Sequence, residues 1–347
     1  LHPRVRRQRQ MCIRDRDMSA RFCGTGSCVP DYVMDNDGVA ELVETSDSWI
    51  RERTGIARRH IAVKETTVSM ANEAAKRALD NAGVLPEELD LILMSTISSD
   101  VIIPCGACEV QKAIGADKAV CFDLNGACTG FVLAYNTALA YIESGIYQTV
   151  LIVGSESLSR LTNWKDRGTC ILFGDGAGAA VIKKDERASY IPAAHSDGTR
   201  GEALLCHSKR EENGLPLQKN DEIGGKHLNS EDYLMQMDGQ GVFRFAIKQV
   251  PEVIQEVLEK NEVKPEEIDW YILHQANRRI LEAVAKRMGE PVEKFPMNME
   301  EYGNTSSASI PILLDEMNRD GRLKRGQKIV LAGFGAGLTW GATIIEW

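Results

Sequence analysis

Two passages of the chain repeat each other at a fixed distance. In the first, the helix-patterned "ANEAAKRALDNAGV" leads into the apolar "LDLILMSTISS"; in the second, "VIQEVLEKNEV" leads into "IDWYILHQAN". The same bend joins helix to strand in each, Pro86-Glu87-Glu88-Leu89-Asp90 and Pro265-Glu266-Glu267-Ile268-Asp269, 179 residues apart. A further echo pairs "FGDGAGAAVI" from Phe173 with "FGAGLTWGATI" from Phe334, each a Gly-rich turn before a β-branched run. A period this long is not that of a solenoid, and the alternation of helical with strand periodicity points to an α/β fold. The sequence therefore predicts two similar halves, 18–187 and 188–347, joined near the charged "KKDERAS". No low-complexity linker separates them, so they are expected to share an interface. Residues 1–17, "LHPRVRRQRQMCIRDRD", carry six arginines without apolar periodicity and read as a non-native or disordered extension ahead of Met18.

Three positions could carry chemistry. In "FDLNGACTGFVLAYNTALAYIESG" an apolar strand, a Gly126 turn and a helix meet at Cys128. A thiol at a helix N-terminus is expected to have a lowered pKa and to act as a nucleophile. A buried structural cysteine competes with that reading on even terms. His274 closes the strand "IDWYILH", at the C-terminal end where α/β folds place their sites; a satisfied histidine at a strand edge fits equally well. Asn304, in "EEYGNTSSASIPILLDEM", precedes a Ser/Thr-rich helix start and taken alone reads as an ordinary cap. Within the repeat, however, its strand-turn-helix takes the place that Cys128 holds in the first half, which brings both turns to one pseudo-two-fold centre.

Other classes are excluded by what is missing. The net charge of −9 argues against a nucleic-acid binder, and no apolar run reaches the roughly 18 residues of a membrane span, so the cytoplasm is expected. Nine cysteines, an odd number in a long chain, fit reduced thiols better than a disulfide framework. Neither Gly-rich segment shows the strand, Gly-x-Gly-x-x-Gly and helix of a dinucleotide site. Cys105 and Cys108 have no second pair or nearby His to complete a zinc site, and a helix-buried pair is expected instead.

Taken together, "GTGSCVP", "ETSDSWIRERTGI", "FDLNGACTGF", "DRGTCILFGDGAGAAV", "HSDGTRGEAL", "MDGQGVFRFAI", "LHQANRRI", "YGNTSSASIP" and "FGAGLTWG" resemble, in order, the β-ketoacyl-acyl carrier protein synthase III family over residues 19–347. The resemblance implies a thiolase-like five-layered αβαβα fold from two duplicated halves and a homodimer. It implies a decarboxylative Claisen condensation of an acyl-CoA primer with malonyl-acyl carrier protein through an acyl-enzyme, with acyl-CoA as substrate and no cofactor or metal. By position, Cys128 is the nucleophile, completed by His274 and Asn304, and the backbone N–H groups of Cys128 and Ala336 form the oxyanion hole. Trp49, Arg167 and Asn277 are implied in coenzyme A binding, and Ile103, Leu172 and Phe243 in the acyl pocket. Arg244, Arg279, Lys286 and Arg287 would face the acidic carrier protein.

Two departures stand out. Ile103 precedes Pro104 where the family often has an aromatic residue reaching into the partner's acyl pocket, which implies room for a branched or slightly longer primer than acetyl. Ala336 replaces a common Gly, restricting φ while keeping the N–H. A papain-like protease shares the order Cys, His, Asn and the 146-residue gap from Cys128 to His274, but not the local sequence. A degradative thiolase needs a late second cysteine, and the last here is Cys206. A hydroxymethylglutaryl-CoA synthase or a specialised-metabolite condensing enzyme shares the triad and stays open.

Overall fold

The computed structural model describes residues 19–186, 189–208, 222–223 and 226–347; the predicted extension, 1–17, lies outside them. Nine strands of the described residues build two main sheets. In chain order these are β1 (Ser19–Cys28), β2 (Leu91–Ser95), β3 (Val120–Leu124), β4 (Thr149–Ser157), β5 (Asp175–Asp185), β6 (Ala193–Ser196), β7 (Trp270–Leu273), β8 (Lys328–Gly335) and β9 (Thr339–Glu346). The first sheet has the order β1-β5-β4-β2-β3 and the second β7-β8-β9-β6. The packing helices are α1 (Asp47–Thr54), α2 (Thr67–Ala82), α3 (Gly106–Ile114), α4 (Gly130–Glu143), α5 (Gly239–Lys260), α6 (Arg278–Met288) and α7 (Ser309–Arg319).

The layers follow from strand alternation. Leu91 and Leu93 face a central layer with α4 and α7, whereas Ile92 and Met94 face outward to α2 and α3. In the second sheet Ile329 and Leu331 face the same centre, and Val330 and Ala332 pack outward on α5 and α6. Both faces of both sheets are thus covered, giving the order helix, sheet, helix, sheet, helix. The central α4 exposes only Ala140, and its Phe131, Tyr135, Leu139 and Ile142 each contribute roughly 1.5–3 kcal/mol by burial. On α6, by contrast, Ile280, Leu281, Val284 and Ala285 form one buried stripe and the basic residues lie outside.

The duplication reaches the atoms of the bends. Asp90 Oδ2 accepts the Thr149 N–H at 3.0 Å, and Asp269 Oδ2 accepts the Lys328 N–H at 2.9 Å. The three-residue turns Ala127–Thr129 and Ser306–Ala308 occupy matching places before α4 and α7. The second sheet lacks a counterpart of β3. Where it would fall, Met299–Tyr302 forms a short helix, because "MEEY" offers two acidic residues in place of the apolar "VCFDL". The first sheet ends at Asp185 and the second begins at Ala193.

Candidate active site

Cys128 lies in the turn between β3 and α4 and is buried. Ala127 before it adopts φ 44°, a strained value for a residue with a Cβ, so the turn is held by its surroundings. One such restraint is Gly335, at which a Cβ would come within 2.8 Å of Cys128 Cβ and 3.1 Å of its Sγ. Gly130 is likewise required, since a Cβ there would run into the Ser95 side chain.

His274 follows β7, its N–H donating to Ala332 O at 2.9 Å. Its ring Nδ1 stands 2.7 Å from Ser309 Oγ, at the start of α7. The same hydroxyl accepts the Gln275 N–H at 3.2 Å, so Ser309 ties both the ring and the backbone that follows it to the start of α7. Burial lowers the imidazole to about 3, against a smaller upward pull from the Ser306 backbone, so the ring is neutral. Phe334 packs edge-on against it at 5.2 Å.

Asn304 is fixed by its backbone, donating to Leu172 O at 2.9 Å and accepting from Gly174 N–H at 3.0 Å. Its Oδ1 accepts the Ser306 N–H at 2.9 Å. That bond settles the amide orientation and turns the Nδ2 hydrogens away from the Ser306 turn.

Cys128, His274 and Asn304 meet in a cavity of about 720 Å³ whose walls include Trp49, Arg53, Arg167 and Asn277. A second cavity, of about 970 Å³, also reaches Cys128 and is lined by Ile97, Leu158, Leu161, Phe173, Leu205 and Met235 among others. Cys128 thus separates two chambers, one open to the stacking residues and one mostly apolar.

The implied site residues divide between these chambers. Ala336 lines the second one with Cys128. Trp49 and Arg167 come together, but as a direct stack, with the Arg167 guanidinium 4.7 Å from the indole centroid. Arg53, missed in the sequence reading, stacks at 4.3 Å; its position four residues after Trp49 on α1 was the available signal. Asn277 lies on the cavity wall, yet its amide also caps α6 through Arg279 N–H at 2.8 Å and donates to Arg53 O at 3.0 Å. Leu172 and Phe243 line the first chamber and not the second. Leu172 and Phe173 are adjacent, and of the two only Phe173 reaches the second chamber. Ile103 lines neither chamber and is 87% exposed. Arg244, Arg279, Lys286 and Arg287 are all exposed; Arg279 lies 5.9 Å over Phe243 at the first chamber, and Arg287 pairs with Glu252 at 3.5 Å.

The thiol differs from expectation. Burial pushes Cys128 up to about 12, with Ser306 pulling it down and the buried Glu156 adding to the rise. In the balance of these effects desolvation is the largest. Ser309 and Gly335 were also missed: Ser309 reaches His274 from another element of the same half, and Gly335 reaches Cys128 across the interface between halves, contacts with no local sequence pattern.

Two duplicated halves with a buried cysteine, a neutral histidine and an asparagine at their junction define a thiolase-like condensing enzyme. Residues 122–198 match the family described as 3-oxoacyl-[acyl-carrier-protein (ACP)] synthase III, and residues 258–347 its C-terminal part. The β-ketoacyl-[acyl-carrier-protein] synthase III of Clostridium acetobutylicum is 46% identical over 95% of this chain and 99% of its own. That of Clostridium novyi is 46% identical over 93% and 97%. Among solved structures, the Aquifex aeolicus 3-oxoacyl-[acyl-carrier-protein] synthase III superposes with a TM-score of 0.85 at 40% identity, covering 94% of this chain and all of that one. The priming β-ketosynthase of the R1128 polyketide pathway gives 0.86 at 33%, covering 94% and 96%. The chain belongs to the β-ketoacyl-acyl carrier protein synthase III family, and is an acyltransferase of the condensing class that initiates fatty-acid synthesis.

Proposed function

We propose that the chain condenses an acyl group from acyl-coenzyme A with malonyl-acyl carrier protein, in the cytoplasm and as a homodimer. One observation carries the reading: Cys128 is shared by two chambers, while His274 and Asn304 line only the first. A thioester entering the first chamber can therefore leave its acyl group in the second. The Cys128 sulfur attacks the thioester carbonyl, the oxyanion takes the N–H groups of Cys128 and Ala336, and coenzyme A departs with the thiol proton.

The malonyl thioester then occupies the emptied first chamber. Its bond to the carboxylate breaks, CO2 leaves, and the electron pair becomes an enolate whose oxygen accepts from His274 Nε2–H and Asn304 Nδ2–H. The enolate carbon attacks the acyl carbonyl and expels Cys128 as a thiolate, which regains a proton. Loss of CO2 supplies the carbanion, so the step calls for neither metal nor redox cofactor. Trp49, Arg53 and Arg167 offer stacking and charge to a nucleotide, with Asn277 beside the arm. The exposed Arg244, Arg279, Lys286 and Arg287 suit an acidic carrier protein.

The dimer reading is supported by β3, an outer strand with half-exposed side chains, and by the neighbouring Ile102 and Ile103, 94% and 87% exposed. In that reading Ile103 borders the partner's acyl chamber.

Intact-mass analysis against a panel of acyl-CoAs tests the reading. The wild type gains one acyl group and Cys128→Ser gains none; a serine variant acylated at the wild-type rate overturns it. Ile103→Phe is expected to lower kcat/KM for branched and longer primers relative to acetyl by about 10-fold, from overpacking. An unchanged preference removes Ile103 from the pocket.

A further inference from the structure

Cys105 and Cys108, in the sequence "CGAC", were expected as a helix-buried pair. They instead stand at the N-cap and in the first turn of α3, both half-buried, with their sulfurs 3.4 Å apart. Cys105 has extended backbone, φ −67° and ψ 154°, which carries its side chain back over the turn toward Cys108. The turn itself is pinned: Asp123 on β3 accepts the Gly106 N–H at 2.7 Å and the Ala107 N–H at 2.8 Å. A disulfide bond measures about 2.0 Å, so closing this pair needs a movement of only ~1.4 Å, within reach of side-chain rotation.

We propose that Cys105 and Cys108 are a reversible redox pair, in which a disulfide closes across the first turn of α3 at the expense of a low-molecular-weight disulfide such as oxidised glutathione. Nothing in this inference rests on the condensation chemistry, since Cys128 takes no part. Cys105 sulfur attacks one sulfur of the oxidant, whose S–S bond breaks, and one thiol leaves carrying the Cys105 proton. Cys108 sulfur then attacks Cys105 in the mixed disulfide, and the second thiol leaves with the Cys108 proton. Two electrons pass from the pair to the oxidant, which ends as two thiols.

Both thiols are half-buried and within an oxidant's reach, and Cys105, at the N-cap, opens the exchange. Cys108 touches both Cys105 and Cys121, and its thiol is held up by the Cys105 contact first and by burial second. Cys121, the third thiol of the cluster, lies on β3 with its Sγ 3.5 Å from Ala119 O and its pKa pushed up to about 12 by burial. The pair lies two residues beyond Ile103, so the disulfide fixes the turn that presents that side chain.

Full-length protein equilibrated with oxidised and reduced glutathione, blocked with iodoacetamide and mapped by peptide mass spectrometry decides the matter. The peptide bearing Cys105 and Cys108 is expected to lose two hydrogens and to regain them with dithiothreitol. Cys108→Ser is expected to retain one glutathione on Cys105. A Cys108–Cys121 link, separate glutathione adducts on both residues of the wild type, or full alkylation of both at a potential that oxidises a thioredoxin control, would overturn the proposal.

Discussion

Ala127 and Ser306 are 179 residues apart in the chain and share one backbone conformation, with φ of 44° and 49°. Each stands one residue before the matching positions Cys128 and Ser307, so the duplication preserved the strained turn and changed only the side chain it presents. A left-handed residue with a Cβ costs about 1–3 kcal/mol, offset here by packing of the two turns at the junction.

Substitution at the turn separates strain from packing. Ala127→Gly is expected to stay within about 1 kcal/mol of wild type, because relief of strain and the greater freedom of unfolded Gly oppose each other. Ala127→Val is expected to cost more than about 2 kcal/mol, since a β-branched residue is poorly accommodated at positive φ. Urea midpoints followed by circular dichroism measure both. Equal midpoints for Val and Gly would mean that the turn relaxes freely.

Gly335 sets the position of Cys128. Its Ala variant would place a methyl 3.1 Å from Cys128 Sγ, inside ordinary contact, and one of the two must move. Gly335→Ala is expected to lower the acylation rate at least about 10-fold while costing roughly 1–3 kcal/mol in stability. Single-turnover mass spectrometry with acetyl-CoA measures it, and wild-type acylation would show that the sulfur has spare room.

The raised thiol has a pH signature. With Cys128 pushed up to about 12, the neutral thiol dominates at pH 7 and the thiolate fraction grows tenfold per pH unit. The logarithm of the iodoacetamide rate at Cys128 is expected to rise with a slope of about 1 from pH 7 to about 10, without a plateau. A plateau near pH 8 would mean that the helix start lowers the pKa after all.

His274 and Asn304 are expected to serve decarboxylation more than acylation. Their Ala variants should slow CO2 release on the order of 100-fold or more and self-acylation far less. Because burial holds His274 at about 3, below its ordinary value, the ring stays neutral on going down from pH 8 to about 5, and the decarboxylation rate should show no histidine titration there. Equal losses in both half-reactions, or a rate falling through pH 6.5, would make His274 a thiol-activating base.

Much of this was legible in one dimension. The bend at Pro86 and Pro265 gave the duplication, and its 179-residue offset also relates α4 to α7 and β4 to β8. Cys128, His274 and Asn304 could be read because each ends a strand or opens a helix, and such ends carry local signals: a Gly turn, an apolar run that stops, a Ser/Thr cluster. Periodicity also carried the layers, since burial on both faces of a strand requires apolar residues at every position.

Other features depended on residues that meet only after folding. The ionisation of Cys128 reflects how completely Phe173, Phe334 and the two turns exclude water, a sum over distant segments. The hydrogen bond at His274 Nδ1 depends on Ser309, 35 residues away and on another element of the same half. Leu172 and Phe173 are neighbours in sequence yet differ in the chambers they reach, because the Asn304 bridge fixes which way each points. Periodic patterns specify which face of an element is buried, whereas the environment of a single atom is set by the three-dimensional packing of residues with no fixed spacing. The sequence thus determined the two halves and where Cys128, His274 and Asn304 stand in them, and the tertiary structure decided their burial, their orientation and the two chambers that meet at Cys128.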